Sequence, residues 1–339
     1  MKGYRIAVVN PLSPFGQRLR ALLDSDDPVL PVIELKLFDP QSDATSTLTQ
    51  FEDEVLVTQA LDPDLFPLLD VLFVGEGTSP EVLAKATAAA AQGVLTLVAG
   101  GLVEAPVAAV GLNERFLAEG ARLIGAPAGA SILLGRVLEA LGTAFEVTRA
   151  QGTVFLPASE LGNAAVEELH QQVVQLLNFG APPTSVIGEQ LAFNLLTPPA
   201  GVGSAELAIA KEVSTLAGME EDRVSVALLL APVFHSYAAS LWVEFSAPAT
   251  TAQVMAALDV REGLSTESHY ETPDGPPRVV SPAGIAGSRQ VHIGVVRPDG
   301  RREGGFWLWL AADSVAVDAA QNALQLAQRL LGVGETLES

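Results

Sequence analysis

The most informative chemical feature of the sequence is a residue type that it lacks: none of its 339 residues is cysteine. A chain without cysteine has no thiolate nucleophile, no thiolate metal ligand and no disulfide. Four histidines are present, and they form neither an HxH nor an HExxH arrangement, so no metal site is predicted. They are His170, His235, His269 and His292.

Two short segments hold groups that could still act as a nucleophile or a base. Ser131 in GAPAGAS begins a predicted helix after a glycine-containing turn, as a nucleophilic serine would. The segment is not GxSxG, however, and serine is also a common helix cap. His235 lies beside Ser236 and Tyr237 after an apolar strand, where it is either a base or a hydrogen-bonded histidine at the edge of the core.

A turn near the N-terminus occupies the place where a dinucleotide-binding fold carries its phosphate-binding glycines. Here the turn reads NPLSPFG, from Asn10 to Gly16, and only its last residue is glycine. Pro11 and Pro14 have no backbone N–H to donate to a phosphate. Asn10, Ser13 and Gly16 are therefore doubtful candidates for cofactor binding, and a Rossmann-like unit without a dinucleotide is the simpler interpretation.

The first half of the chain alternates between predicted strands and helices. Strands are predicted at 4–10, 32–38, 54–58, 70–74 and 94–98 from short apolar runs, the first of which ends in Asn-Pro while the fourth is followed by glycine. Helices are predicted at 15–24 and from Pro80 to Gln92, the second with Ser79 as its N-cap and Gly93 as its end. This order predicts a doubly wound parallel sheet.

The second half is richer in β-structure. Helices are predicted at 163–178 and 204–216, and strands at 146–155, within 224–245 and on either side of the PDG turn at 298–300. Trp307 and Trp309, two apart in FWLWL, are expected on one face of a strand as core or interface residues. A final helix is predicted from about 313 to 331. Helices with a mixed sheet indicate an α+β domain.

Composition excludes several classes of function. Hydrophobic residues make up 49% of the chain and charged residues 17%, which predicts a folded protein with a large core. The net charge of -21 disfavours binding to nucleic acid or to anionic membrane surfaces. No apolar run approaches the ~20 residues of a membrane-spanning helix, and no signal peptide is recognised. The expected location is cytoplasmic.

Three segments, taken together, resemble the aspartate-semialdehyde dehydrogenase family. The stretch VHIGVVR, FWLW, AD and NALQLA between 291 and 327 resembles the family's VGRIR, LxLW, AD and NAVQIAE. LAFNLL at 191–196 is similar to its IAFN segment, and LIGAPAGASI at 123–132 to its IANPNCSTI. The resemblance covers essentially the whole chain and favours the Usg-type branch, whose members resemble the dehydrogenase without its catalytic set.

The resemblance implies a particular domain organisation. Residues 1–128 together with 313–339 would form an NAD(P)-binding-like Rossmann domain. Residues 129–312 would form an α+β domain of the dimerisation and substrate-binding type, which in this family carries the dimer interface on its sheet. A homodimer is the implied assembly, and NADP is the implied cofactor.

The positions that perform the family's chemistry are occupied here by other residues. The nucleophilic cysteine falls at Gly129, the assisting glutamine at Leu156, the substrate-binding arginine at Leu230 and the catalytic histidine at Tyr237. The reaction needs a thiolate, a base and a cation for the substrate carboxylate, and none of these groups is retained. No catalytic residues and no cofactor are therefore expected.

The sequence leaves three functions open. The favoured one is a catalytically inactive homologue with a structural or regulatory role as a dimer. The second is an enzyme of altered chemistry that uses Tyr237, His235 or Ser131. The third is weak binding of NADP without catalysis. The physiological small-molecule ligand is not indicated by any motif.

Overall fold

The chain folds into two compact units, seen in a computed structural model that describes residues 3–25, 30–41, 47–51, 54–118, 120–198, 202–266 and 279–333. The first unit comprises Met1–Pro127 and Ala319–Ser339. The second unit comprises Ala128–Asp318.

The first unit is built on a parallel sheet of five strands in the order β2-β1-β5-β6-β7. The parallel arrangement of the alternating strand and helix pattern is confirmed. The strand predicted at 54–58 does not belong to this sheet, because it pairs as β4 with β3 in a separate antiparallel hairpin. The strands are β1 (Tyr4–Val9), β2 (Val32–Phe38), β3 (Thr47–Phe51), β4 (Glu54–Thr58), β5 (Val71–Val74), β6 (Leu95–Ala99) and β7 (Leu123–Ala126).

Helices cover both faces of this sheet. Helix α1 (Pro14–Leu23) and the last helix of the chain (Ala319–Leu330) share one core cluster with Ile6 and Val8. Helix α2 (Pro80–Ala91) shares the other cluster with Ala7 and Val9, the alternate residues of β1. Successive side chains of a strand point to opposite faces, so each strand contributes to both clusters. The predicted cap of α2 is confirmed, because the Ser79 hydroxyl accepts a hydrogen bond from Val82 N.

The second unit is built on a mixed sheet of six strands in the order β11-β12-β13-β10-β8-β9. β8 and β9 run parallel, as do β11 and β12, and the remaining pairs are antiparallel. The strands are β8 (Val147–Leu156), β9 (Val224–Leu230), β10 (Ser236–Phe245), β11 (Leu264–Ser265), β12 (Val291–Pro298) and β13 (Gly305–Asp313).

In the described part of this unit, the sheet is accompanied by four α-helices: α3 (Gly129–Gly142), α4 (Asn163–Leu177), α5 (Val202–Ala217) and α6 (Thr251–Asp259). The α3 and α5 backbones approach closely, since a Cβ at Gly135 would lie 2.9 Å from Leu216 Cβ. On the sheet face away from α3, Trp307 and Trp309 lie half-buried side by side, as predicted. The Trp309 indole donates a hydrogen bond of 2.9 Å to Val280 O.

One predicted helix start was wrong, and one helix was missed. The final helix, α7 (Ala319–Leu330), begins later than residue 313, because Asp313 still belongs to β13. The Asp313 carboxylate accepts a hydrogen bond from Val315 N and caps a short 3₁₀ turn at Ser314–Ala316 instead. Helix α6 was not predicted, although Thr250 and Gln253 form a capping box at its start.

Candidate functional site

The predicted cofactor-binding residues lie together at the start of α1. Asn10 follows β1 in a left-handed conformation with φ of 55°, which asparagine tolerates better than most residues. Gly16 is required by close packing: a Cβ there would overlap Asn10 O and lie 2.8 Å from Pro11 Cα. The single glycine of this turn therefore allows α1 to pack closely against the preceding loop.

The backbone donors at the start of α1 already have partners. Gly16 N donates to Ser13 Oγ at 3.0 Å, and Gln17 N donates to Ser13 O at 2.8 Å. Phe15 N donates to a carboxylate oxygen of Glu76 at 3.3 Å. Pro14 has no N–H. An acidic side chain thus lies where a helix N-terminus would otherwise attract a phosphate, and the residues present do not fit a dinucleotide pyrophosphate.

The start of α3 brings together Gly129 and Tyr237, two of the positions singled out from the sequence. A Cβ at Gly129 would lie 2.5 Å from the Tyr237 hydroxyl oxygen and 2.9 Å from its ring carbon Cζ. Val317 O would lie 3.1 Å from the same point. The phenol of Tyr237 therefore fills the space into which any side chain at position 129 would extend.

Glu160 holds the Tyr237 side chain in this position. The Tyr237 hydroxyl donates a hydrogen bond to the Glu160 carboxylate, and Tyr237 is 4% exposed. Tyr237 lies at the start of β10, and Glu160 belongs to a 3₁₀ turn (Ala158–Leu161) that follows β8. These two adjacent strands place the carboxylate and the phenol in contact at the end of the sheet.

Ser131 is committed to a buried hydrogen bond with Glu212. The Ser131 hydroxyl donates to a Glu212 carboxylate oxygen at 2.6 Å, and Ala128 N donates to the same oxygen at 3.0 Å. Ser131 is completely buried and Glu212 is 3% exposed. Burial raises the pKa of Glu212, and the two hydrogen bonds only partly offset this effect. Glu212 therefore caps α3 from α5, and Ser131 is not accessible to a substrate.

Leu156 and Leu230 are neighbours at the ends of β8 and β9, where their positions pair in register. Leu156 is 8% exposed and Leu230 is 1% exposed. These buried apolar side chains offer neither a hydrogen bond nor a charge to a substrate carboxylate.

The histidines do not assemble into a site. His235 is exposed, and among the described residues its imidazole has no hydrogen-bond partner, although its carbonyl accepts from Ser314 N. His170 is exposed on α4, and His292 lies in β12 with its ring 2.7 Å from Ser288 Oγ. Burial lowers the pKa of His292. His269 lies outside the described residues.

Other potential sites are scarce in the part of the chain that the structure describes. No group of three or more histidine, aspartate or glutamate side chains there could hold a metal ion. Within the same ranges, every helix is too short or too polar to span a bilayer.

Sequence reasoning missed the three carboxylates that organise these sites: Glu76, Glu160 and Glu212. Glu212 had a detectable signal, because it falls on the apolar stripe of α5 between Ile209, Val213 and Leu216. A charged residue on a buried helix face needs a specific partner. Glu76 and Glu160 lie after strands in positions that carry no such pattern.

The fold of this chain is known from solved structures of other proteins. The parallel sheet with helices on both faces and the second mixed sheet match solved aspartate-semialdehyde dehydrogenases. The structure of a probable aspartate-semialdehyde dehydrogenase from Pseudomonas aeruginosa is 26% identical, with a TM-score of 0.76 over 99% of this chain and 100% of that one. The Vibrio cholerae aspartate-semialdehyde dehydrogenase II complexed with ASA gives a TM-score of 0.75 at 24% identity, over 99% and 100% of the two chains.

Residues 138–317, more than half of the chain, match the family model described as semialdehyde dehydrogenase, dimerisation domain. The chain therefore belongs to the semialdehyde dehydrogenase family, as its sequence motifs indicate. It is 28% identical to the USG-1 protein homolog of Azotobacter vinelandii over 97% of this chain and 98% of that protein. It is 26% identical to the aspartate-semialdehyde dehydrogenase of a Synechocystis strain, with the same coverage.

Proposed function

We propose that this protein is a catalytically inactive member of the semialdehyde dehydrogenase family that acts as a homodimer in a structural or regulatory role. The observation that carries the proposal is the contact between Gly129 and Tyr237. The family's position for the nucleophile has no side chain, and the space for one is filled by a phenol that Glu160 holds in place.

The start of α1 supports the same conclusion for the cofactor. Its N–H groups bind Ser13 and Glu76, and the Glu76 carboxylate would repel a pyrophosphate. The cationic residue expected for the substrate carboxylate is replaced by Leu230, which is buried. A separate local feature thus opposes each of three requirements: a nucleophile at position 129, cofactor binding at the start of α1, and recognition of the substrate carboxylate at position 230.

The role as a homodimer rests on the matched region. It spans residues 138–317 and therefore includes nearly all of the second unit. The domain division predicted from the family, with the first domain at 1–128 and 313–339 and the second at 129–312, forms part of this proposal.

An activity assay with a graded set of variants tests the loss of catalysis. Wild type, Gly129→Cys, the double variant Gly129→Cys/Tyr237→His and the triple variant that adds Leu230→Arg are assayed with NADP, phosphate and the semialdehyde. An active relative such as the Vibrio cholerae enzyme is the positive control. We expect no turnover from wild type or the single variant, because Tyr237 obstructs a thiol at position 129.

The double and triple variants separate obstruction of the nucleophile from failure to bind the cofactor. We expect them to remain inactive, because the start of α1 is unchanged. Circular dichroism confirms folding, which is necessary because arginine at 230 replaces a side chain that is only 1% exposed. Turnover by wild type near that of the control contradicts the proposal. Turnover by Gly129→Cys alone shows that the space at position 129 is open.

A second candidate function, altered chemistry, is favoured by one observation: the Tyr237 phenol donates to a carboxylate beside a helix N-terminus. Such a pair could exchange a proton with a bound ligand. Mass spectrometry of protein purified without added ligand tests this candidate function. Altered chemistry requires that wild type retains a small molecule and that the Tyr237→Phe variant does not.

A further inference from the structure

An open cavity lies beside the turn that joins β12 to β13. Its volume is about 390 Å³, within the range of about 300–1,000 Å³ that is usual for sites that bind small molecules. Residues 298–306 form most of its lining, and Pro248 and Ala249, which follow β10, form the rest. Tyr237 lies at the opposite end of β10, about 25 Å away along the strand, so the cavity is separate from the positions discussed above.

The end of the turn packs so closely against the sheet that it requires glycine. Gly304 has φ of 81°, and a Cβ there would lie 2.7 Å from Phe245 O. Gly304 is buried, yet its N–H group donates to no acceptor among the described residues. Buried backbone donors nearly always have a partner. The lining of the cavity therefore contains a backbone donor that suits an acceptor atom of a ligand.

Asp299, the first residue of the turn, has hydrogen bonds to both of its carboxylate oxygens. Its Oδ1 accepts from Arg301 N at 3.0 Å, and its Oδ2 accepts from Trp242 Nε1 at 3.0 Å. The hydrogen bond from Arg301 N is the main reason that the pKa of Asp299 is lowered. Asp299 thus fixes the shape of the turn and links it to the indole of Trp242, and it is not a free carboxylate that would repel an anion.

Two arginines of the turn supply positive charge to the lining. The chain has 19 lysines and arginines in 339 residues, and three of them lie between positions 297 and 302. The Arg301 side chain forms no hydrogen bond or ion pair with any described residue. Arg302 is 63% exposed and lies 3.5 Å from a carboxylate oxygen of Glu244. Because such an exposed ion pair contributes little to stability, both guanidinium groups are available to an anionic ligand.

The remainder of the lining is largely apolar and comprises Pro248, Ala249, Pro298 and Phe306. Apolar surface combined with a few polar groups is typical of a site for a small organic molecule. The net charge of -21 opposes any diffuse attraction of anions to this protein. An anion that binds here must therefore be held by local groups.

We propose that this cavity is a binding site for a small organic anion, in which a carboxylate or phosphate group is attached to a compact apolar body. Arg301 and Arg302 bind the charged group, and Phe306 contacts the apolar body. The proposal does not depend on the loss of catalysis, because the cavity lies at the other end of β10 from Tyr237.

The tryptophan indoles report occupancy of the cavity in an NMR titration. The chain has three tryptophans, of which Trp242 is linked to the turn through Asp299, whereas Trp309 donates to Val280 O. Benzoate and phenyl phosphate are the probes, phenol is the uncharged analogue, and inorganic phosphate is the analogue without an apolar body. We expect a saturable shift of the Trp242 indole signal with at least one organic anion, and the tighter of the two identifies the charged group. Phenol and inorganic phosphate should bind at least about tenfold more weakly.

Arg301→Gln is the deciding variant, because this exposed side chain has no partner among the described residues and its loss leaves the fold intact. We expect the dissociation constant of the tighter probe to rise at least about tenfold. Arg289→Gln is the matched control, since it makes the same change in net charge at an exposed arginine outside the cavity. It should leave the dissociation constant within about twofold of wild type.

Three kinds of result overturn the proposal. The first is the lack of a saturable shift with either organic anion. The second is binding that Arg301→Gln leaves unchanged, or that Arg289→Gln weakens equally, since the effect then lies outside the cavity or in the net charge. The third is an equal affinity for phenol or for inorganic phosphate, because the ligand then needs no charged group or no apolar body.

Discussion

At the scale of single residues, the glycine at position 129 and the tyrosine at position 237 depend on each other. Gly129 has no side chain, and the Tyr237 phenol occupies the space that a side chain would take. Ser131, two residues further along, donates a hydrogen bond to Glu212 of α5. The N-terminus of α3, where the family's nucleophile would lie, is therefore enclosed by groups that satisfy one another and leave little to react with a substrate.

Glu212 gives this region a predictable pH dependence. Its pKa is raised in the folded protein, mainly by burial, from an ordinary value of 4.5. The folded state therefore binds the proton more tightly than the unfolded state. The resulting stabilisation is complete below about pH 4.5 and is lost as the pH rises through the raised folded-state pKa.

We expect Glu212→Gln to remove this dependence, because glutamine is uncharged at every pH and its carbonyl oxygen can still accept a hydrogen bond. The melting temperature of the variant minus that of wild type should increase as the pH rises from 4.5 towards 8, measured by differential scanning fluorimetry. Glu221→Gln, at an exposed position, is the control and should show a flat difference. A flat difference for Glu212→Gln would mean that folding does not shift the pKa of Glu212, and a falling one that folding stabilises its charged form.

At the scale of elements, α4 acts as the support of the connection that follows it. Burial acts to raise the pKa of Glu168, but the hydrogen bonds from Ile187, Val186 and Ser185 outweigh it and lower the pKa. The carboxylate is thus retained in its charged form as an acceptor. Gln172, one turn further along, supplies both acceptor and donor groups. Together, Glu168 and Gln172 on one face of α4 fix the irregular chain from about residue 183 to residue 192.

Replacing Gln172 by alanine should therefore be costly. The change leaves the N–H groups of Leu191 and Ala192 and the carbonyls of Pro183 and Glu189 without their partners. We expect a loss of about 3 kcal/mol in the free energy of unfolding, measured by urea denaturation. Gln171→Ala is the matched control, because among the described residues that exposed side chain bonds only to Glu167, and a change within about 0.5 kcal/mol is expected. A loss below about 1 kcal/mol for Gln172→Ala would show that other contacts hold the connection.

Much of this element structure was predictable from the sequence, and the contacts of the site were not. The strands at 32–38 and 54–58 and the cap at Ser79 follow from local apolar patterns and from serine before proline. The absence of cysteine alone was enough to predict that the family's chemistry is lost. The contact of Tyr237 with Gly129 joins residues that are distant in sequence, and it depends on how β10 and α3 pack. No local pattern encodes such packing.

At the scale of the whole molecule, charge is the dominant feature. A net charge of -21 on 339 residues favours monomers in solution and opposes any contact between copies. A family member that nevertheless dimerises must offset this repulsion with an apolar surface. An interface formed mainly by charge pairing between two such acidic chains does not meet that requirement.

Dimerisation should consequently strengthen as salt is added. The screening length falls from about 30 Å at 0.01 M salt to about 8 Å at 0.15 M, which removes most of the repulsion between two copies but leaves apolar contacts intact. We expect the dimer dissociation constant from sedimentation equilibrium to fall at least about threefold over this range, and more steeply than the small change that apolar contacts alone would give. Sucrose at matched osmolality controls for solvent effects unrelated to charge. If the dissociation constant rises with salt instead, ion pairs must hold the copies together, and apolar contacts are not the principal attraction between them.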